Sequence, residues 1–231
     1  MFLLDPVAAA FLLAVGVFIP FVSLRAHARL SRGQAMPARR NLHRGTLISL
    51  SLLTAFALWA AHRVQMRLFP EPRPDLTLIS VTGAAVVGLW IVGAVRWRRR
   101  TQSPETRRRL VALLPRSGTD FAMWVALCVA AGVGEEIIYR AVLFGVLEFL
   151  TGSWPVAAVL TALCFGLAHA TQGWGSIAIT FVISLLAQWL VLRAGDLYLA
   201  MGAHFTYDLG AGIMYAAMAR RAGLFDDHVP A

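Results

Sequence analysis

An all-α bundle of about seven membrane-spanning helices is the fold this chain predicts, and three observations carry it. Of its 231 residues, 58% are hydrophobic and the mean hydropathy is +0.67, far more apolar than a soluble domain of this length needs. The apolar residues gather in long runs of about 20, the length that crosses a hydrocarbon core. Those runs lack the alternation of barrel strands, and only helices or closed barrels satisfy the backbone in lipid. No long polar stretch remains from which to build a second, soluble domain.

The runs fall near 6–24, 45–62, 76–96, 119–149, 155–172, 175–193 and 196–219. Residues 1–5 lack the basic n-region of a cleavable signal, so the first run reads as a retained span. The fourth run exceeds one straight span. It is expected to tilt strongly, to break near Gly132 and Gly134, or to extend beyond the bilayer. Before it, Ser103, Pro104 and Glu105 read as an N-cap, a first-turn proline and a first-turn acid. Arg107, Arg108 and Arg109, with Leu110, Val111, Leu113 and Leu114, make a short basic amphipathic stretch ending at Pro115. It is expected to lie on the anionic cytoplasmic leaflet. The chain divides into a three-span region with basic loops, 1–118, and a four-span region, 119–231, within one integral membrane domain.

Charge supplies the orientation. All 21 basic residues are arginine, and the net charge is +9. A nucleic-acid partner would account for such a charge, but the arginines lie between apolar runs. Arg25, Arg29, Arg32, Arg39, Arg40 and Arg44 fill the first loop. Arg96, Arg98, Arg99, Arg100, Arg107, Arg108, Arg109 and Arg116 fill the third, and Arg220 and Arg221 follow the last span. The alternate loops hold only Arg63, Arg67 and Arg73, then none, then Arg193. Positive loops stay in the cytoplasm, which puts the N-terminus outside and the C-terminus inside. The lipid bilayer is the implied partner, with no nucleic acid. Cys128 and Cys164 each sit alone in an apolar run and read as packing thiols.

Against this apolar background, three helical turns carry titratable side chains. Glu135 and Glu136 precede Arg140, Phe165 precedes His169, and His204 precedes Asp208 by four residues. A charge at the bilayer centre costs about 2.5–3.5 kcal/mol or more, so such groups need partners or a water-filled cavity. Glu136 and Arg140 share a helical face and neutralise each other as a buried pair. Glu135 points about 100° away, on the face of Tyr139, whose hydroxyl is placed to hold it. Two adjacent carboxylates repel in low dielectric, the setting a general base requires. A carboxylate four residues from His204 fixes its tautomer or shares a metal with it. His27, His43, His62 and His228 read as solvent-exposed. Gly202, Gly210 and Gly212 permit distortion of the last helix, which is needed if His204, near one end of its span, is to meet His169, near the opposite end of its own.

Glu-Glu-x-x-x-Arg, Phe-x-x-x-His and His-x-x-x-Asp, in this order and each in its own apolar helix, resemble the CPBP family. These are the CAAX-protease and bacteriocin-processing intramembrane proteases, also called Abi, which include the type II CAAX prenyl endopeptidases. The resemblance spans roughly 120–215. It implies that Glu135 and His169 activate a water for attack on a peptide bond. His204 and Asp208 would face the developing oxyanion, with Glu136, Arg140, Tyr139 and Phe165 supporting the site. The implied substrate is a membrane-associated peptide or protein, prenylated or not. The prenyl endopeptidase branch usually carries asparagine at position 208. Asparagine donates to an oxyanion and ionised aspartate repels it, so Asp208 is expected to be protonated, to orient His204 or to bind a metal. A cofactor-free glutamate mechanism is preferred here, with zinc as the alternative, since His-Glu-x-x-His is absent. The rival function is a non-catalytic membrane scaffold or bacteriocin-immunity protein of the same fold. A proton-relay transporter is disfavoured by the lack of internal repeats.

Overall fold

A computed structural model of the chain describes residues 5–99 and 104–225. The Ser103 N-cap, Arg100 and His228 lie outside them. Among the described residues there are helices and no strands. α1 is Pro6–Ser31, α2 Arg39–Arg63, α3 Leu76–Arg98, and α4 the short Pro104–Leu113. α5 is Gly118–Thr151, α6 Trp154–Ala168, α7 Trp174–Ala194 and α8 Tyr198–Arg221. Each of the seven expected runs is thus one helix. α1, α2, α3, α5 and α7 are long and apolar enough to cross a membrane, and α6 is a shorter apolar helix. α8 is long but diluted by His204, Tyr207 and Asp208. The chain is a multi-pass membrane protein.

Local chemistry starts and stops these helices. Asp5 caps α1, accepting from the Val7 and Ala8 amides at 2.9 and 3.2 Å ahead of Pro6, and Asp75 caps α3 in the same way. Such caps satisfy amides that have no partner within the helix. Gly152 at φ 65° and Gly195 at φ 77° end α5 and α7 in the left-handed region that glycine enters without strain.

α5 is the central post. α2 and α8 pack along its flanks, α6 packs on its second half and pairs with α7, and α3 covers the outer side of α8. The helix is not broken at Gly132 and Gly134. These glycines instead admit neighbours: a Cβ on Gly132 would stand 2.9 Å from the Phe205 backbone nitrogen, and one on Gly134 would meet Thr54. Close approach through small residues is how membrane helices gain dispersion contacts when lipid is as apolar as leucine. The irregularity comes two residues after Gly134, where Glu136–Leu143 winds as a π-helix before α-helix resumes at Phe144. α1 has a matching π segment at Ala14–Phe18. The main core closes around the α5 π segment: Ile137, Ile138, Tyr139, Val142 and Leu143 meet Phe11, Val15, Leu50, Phe165 and Met201. Outward faces carry Leu13, Phe18, Leu52, Trp59, Ile91 and Leu186, the apolar belt that lipid requires. α8 likewise runs unbroken, with Gly210 and Gly212 admitting the Trp90 and Trp124 rings rather than bending it.

The arginines gather the ends of the helices. At one end Arg39 pairs with Asp120 at 2.7 Å, Arg40 stands 3.7 Å from the same carboxyl, and Arg220 donates to the Arg116 carbonyl. At the opposite end Arg63 pairs with Asp5 at 3.0 Å and the Tyr198 hydroxyl donates to the Pro70 carbonyl. Loops one and three and the end of α8 therefore share a side, as the arginine count requires of a single basic face.

Two sequence expectations fail at that basic end. α4 does not simply float on a leaflet: Arg109 and Val111 are buried, and Leu114 beyond its end packs with Trp97, Ala216 and Ala219. His27 and His43 are buried rather than exposed. His43 Nε2 lies 2.9 Å from the Leu113 carbonyl and His27 Nδ1 lies 3.2 Å from Arg109 Nη1. Both histidines sit at helix ends that α4 covers, and a short helix with so few apolar residues finds stability only by docking. His62 is exposed as expected.

Candidate active site

All eight residues singled out from the sequence converge where the π segment of α5 meets α6 and α8. His204 is the hub. Its Nδ1 lies 2.8 Å from Glu136 Oε1, while its Nε2 lies 3.7 Å from Glu135 Oε2 and 3.4 Å from Asp208 Oδ2. One imidazole is thus surrounded by three carboxylates from two helices. Gly132 makes this approach feasible by letting α8 press against α5 one turn before the glutamates.

The two neighbouring glutamates differ in access. Glu136 is 1% exposed and is shared between His204 and Arg140, whose Nε stands 3.4 Å from Oε2. Glu135 retains 19% exposure and has no arginine partner in the ion pairs formed among the described residues. Arg140, also 1% exposed, lays its guanidinium over the Phe165 ring at 4.4 Å. That cation–π contact supplements the carboxylate in a place where an unpaired charge would be costly. Tyr139 does not hold Glu135 by any hydrogen bond among the described residues. Its ring packs edge-on against Phe165 at 4.9 Å.

His169 stands at the C-cap of α6. Its Nδ1 lies 2.8 Å from the Phe165 carbonyl, an oxygen that only accepts. Nδ1 therefore carries the proton and Nε2 presents a lone pair in the neutral ring. The Phe165 ring lies 4.5 Å from the His169 ring and 6.4 Å from that of His204, so one phenylalanine separates the two histidines. α6 stops after 15 residues at the His169 C-cap, and its last turn sets the Phe165 ring between the two histidines without any break in α8.

Among the described residues no group of three or more His, Cys, Asp or Glu is arranged to hold a metal ion.

The sequence reading passed over one buried contact to this site. Gln188 of α7 is 2% exposed and its Nε2 lies 3.4 Å from the Arg140 carbonyl, within the π segment. A change of hydrogen-bond register from i→i+4 to i→i+5 disturbs carbonyl pairing, and Gln188 supplies a donor there. Its signal was a lone amide at membrane depth, one turn from Ser184, which is also buried.

Residues 117–210 match the family model described as Type II CAAX prenyl endopeptidase Rce1-like. The matched segment runs from the N-cap of α5 through α8 to Gly210 and contains every residue described above. It agrees with the resemblance carried by the three motifs. No curated protein and no solved structure matches the chain.

Proposed function

We propose, from the premise that residues 117–210 form a type II CAAX prenyl endopeptidase Rce1-like segment, that this multi-pass membrane protein hydrolyses a peptide bond of a membrane-associated, CAAX-type substrate without a metal. The observation that carries the reading is the unequal burial of Glu135 and Glu136 around His204. Glu136 is occupied by Arg140 and His204. Glu135 is partly exposed and has no arginine partner among the ion pairs of the described residues, which makes it the proton acceptor in this reading.

In this reading Glu135, aided by the Nε2 lone pair of His169, takes a proton from a water whose oxygen then attacks the scissile carbonyl. The carbonyl oxygen becomes an oxyanion facing His204, which acts as an imidazolium in this reading: Nδ1–H donates to Glu136 and Nε2–H to the oxyanion. Collapse of the tetrahedral intermediate breaks the C–N bond, and the departing amine takes the proton held by Glu135. Asp208, 3.4 Å from His204 Nε2, orients the ring. The basic end of the bundle faces the cytoplasm of a plasma membrane, with the N-terminus outside and the C-terminus inside.

Purified full-length protein is expected to cut a farnesylated CAAX-type peptide, and to do so with a strong chelator present. Asp208→Asn should retain or raise that rate, because the amide adds a donor where ionised carboxylate repels. Bound stoichiometric zinc, with activity lost to the chelator and to Asp208→Asn alike, would replace this mechanism by a metal-dependent one. No cleavage of any peptide would favour a scaffold of the same fold. Orientation has its own test. Single cysteines placed near Ala38 and at the C-terminus should be shielded from an impermeant reagent in intact cells, and one near Pro72 should react. The opposite pattern would invert the topology.

A further inference from the structure

A heavily engaged arginine outside the site lies on α4. Arg109 is 6% exposed. Its Nη1 donates to the Thr171 carbonyl at 2.9 Å and lies 3.2 Å from His27 Nδ1. Its Nη2 donates to Ser31 Oγ at 3.3 Å and pairs with Glu105 one turn earlier. Thr171 belongs to the 3₁₀ turn Ala170–Gln172, which begins directly after His169 and is tied to it by Gln172 N donating to the His169 carbonyl at 3.0 Å. The turn ends at Gly173, φ +104°, where a Cβ would stand 3.3 Å from Thr106 Oγ1 of α4. Trp174 closes the contact, edge-on to His27 at 5.1 Å. A planar guanidinium serves a carbonyl, a hydroxyl, an imidazole and a carboxylate at once, which a lysine ammonium at the same place does not.

We propose that Arg109 is a positioning residue for His169: α4 grips the turn that follows this histidine and thereby sets where its Nε2 points. His169 needs such support because it stands at the end of α6, held on its helical side by the Phe165 carbonyl and ring and by the hydrogen bond from its own amide to the Gly166 carbonyl. The far side of the residue is chain that leaves the helix, and Arg109 pins that chain to α1 and α4. A change in how α4 sits reaches the site through one bond to Thr171.

The inference rests on the reading of His169 as part of a hydrolytic site, and its test carries one arm that needs no activity. Full-length wild type, Arg109→Gln, Arg109→Lys and Gly173→Ala are compared for kcat and KM in peptide cleavage. The ring signals of ¹³C-labelled histidine are recorded in parallel, with His169 and His204 assigned by substitution. Arg109→Gln should lower kcat about 10- to 100-fold, the scale of a small misplacement of a reacting group, with KM unchanged. The His169 signal should move while that of His204 stays. Arg109→Lys should not restore kcat. Gly173→Ala disturbs the same turn without removing the buried guanidinium, and should reproduce both effects even if Arg109→Gln fails to fold. In a His169→Ala background, adding Gly173→Ala should cost nothing further. Wild-type kcat with an unmoved His169 signal in Gly173→Ala overturns the proposal, as does a loss that persists undiminished in the His169→Ala background. A wild type that cuts no peptide refutes the proposed function instead, and the His169 signal alone then decides the positioning.

Discussion

Glu135→Gln is expected to lower peptide cleavage by at least about 100-fold while leaving the fold intact. The substitution preserves volume and hydrogen-bonding shape and removes only the proton acceptor. Glu135 is the partly open member of the pair, and no arginine depends on it among the ion pairs of the described residues. Thermal unfolding should therefore change little. Steady-state cleavage, normalised to folded protein, is the measurement. A rate equal to wild type would remove Glu135 from the base role. Glu136→Gln should behave differently, since Glu136 orients His204 at 2.8 Å and neutralises Arg140. Both rate and stability should fall there.

The largest effect on stability is expected from Arg140→Met. Removing one partner of a buried pair costs about 3–5 kcal/mol, because the remaining charge is stranded in low dielectric. Arg140 and Glu136 are both 1% exposed, and the guanidinium also covers Phe165. The single variant should unfold at markedly lower temperature in detergent. The double variant Arg140→Met with Glu136→Gln should recover much of that loss, because no unpaired charge remains. The recovery is the informative outcome. A double variant as unstable as the single would mean that packing of Arg140 on Phe165, and not charge pairing, holds this corner together.

Much of this was legible from local spacing. Residues four apart on a helix meet whatever surrounds them, so the Glu136–Arg140 and His204–Asp208 neighbours follow from the chain alone. Helix ends at Asp5, Asp75, Gly152 and Gly195 are equally local, being set by capping oxygens and by glycine's access to positive φ. The misreadings were of another kind. A break at Gly132 and Gly134 is one of three readings the long fourth run allows, and only the neighbouring Phe205 and Thr54 reveal these glycines as contact points. Arg109 looks like one more cation on a basic stripe, and His27 like a loop histidine. Each is buried because the other is there.

What the sequence by itself determined is the medium and the inventory: a bundle of apolar helices, a basic face, and six titratable groups whose cost in lipid demands that they find one another. The tertiary structure decided which of them meet and in what state of access. The π winding of Glu136–Leu143 and the crossing of α8 over Gly132 bring three carboxylates around His204 and set Phe165 between the two histidines. They also bury Glu136 and leave Glu135 open. Helical periodicity is a property of a few adjacent residues, whereas burial is a property of whatever packs opposite, and that is chosen by every helix at once.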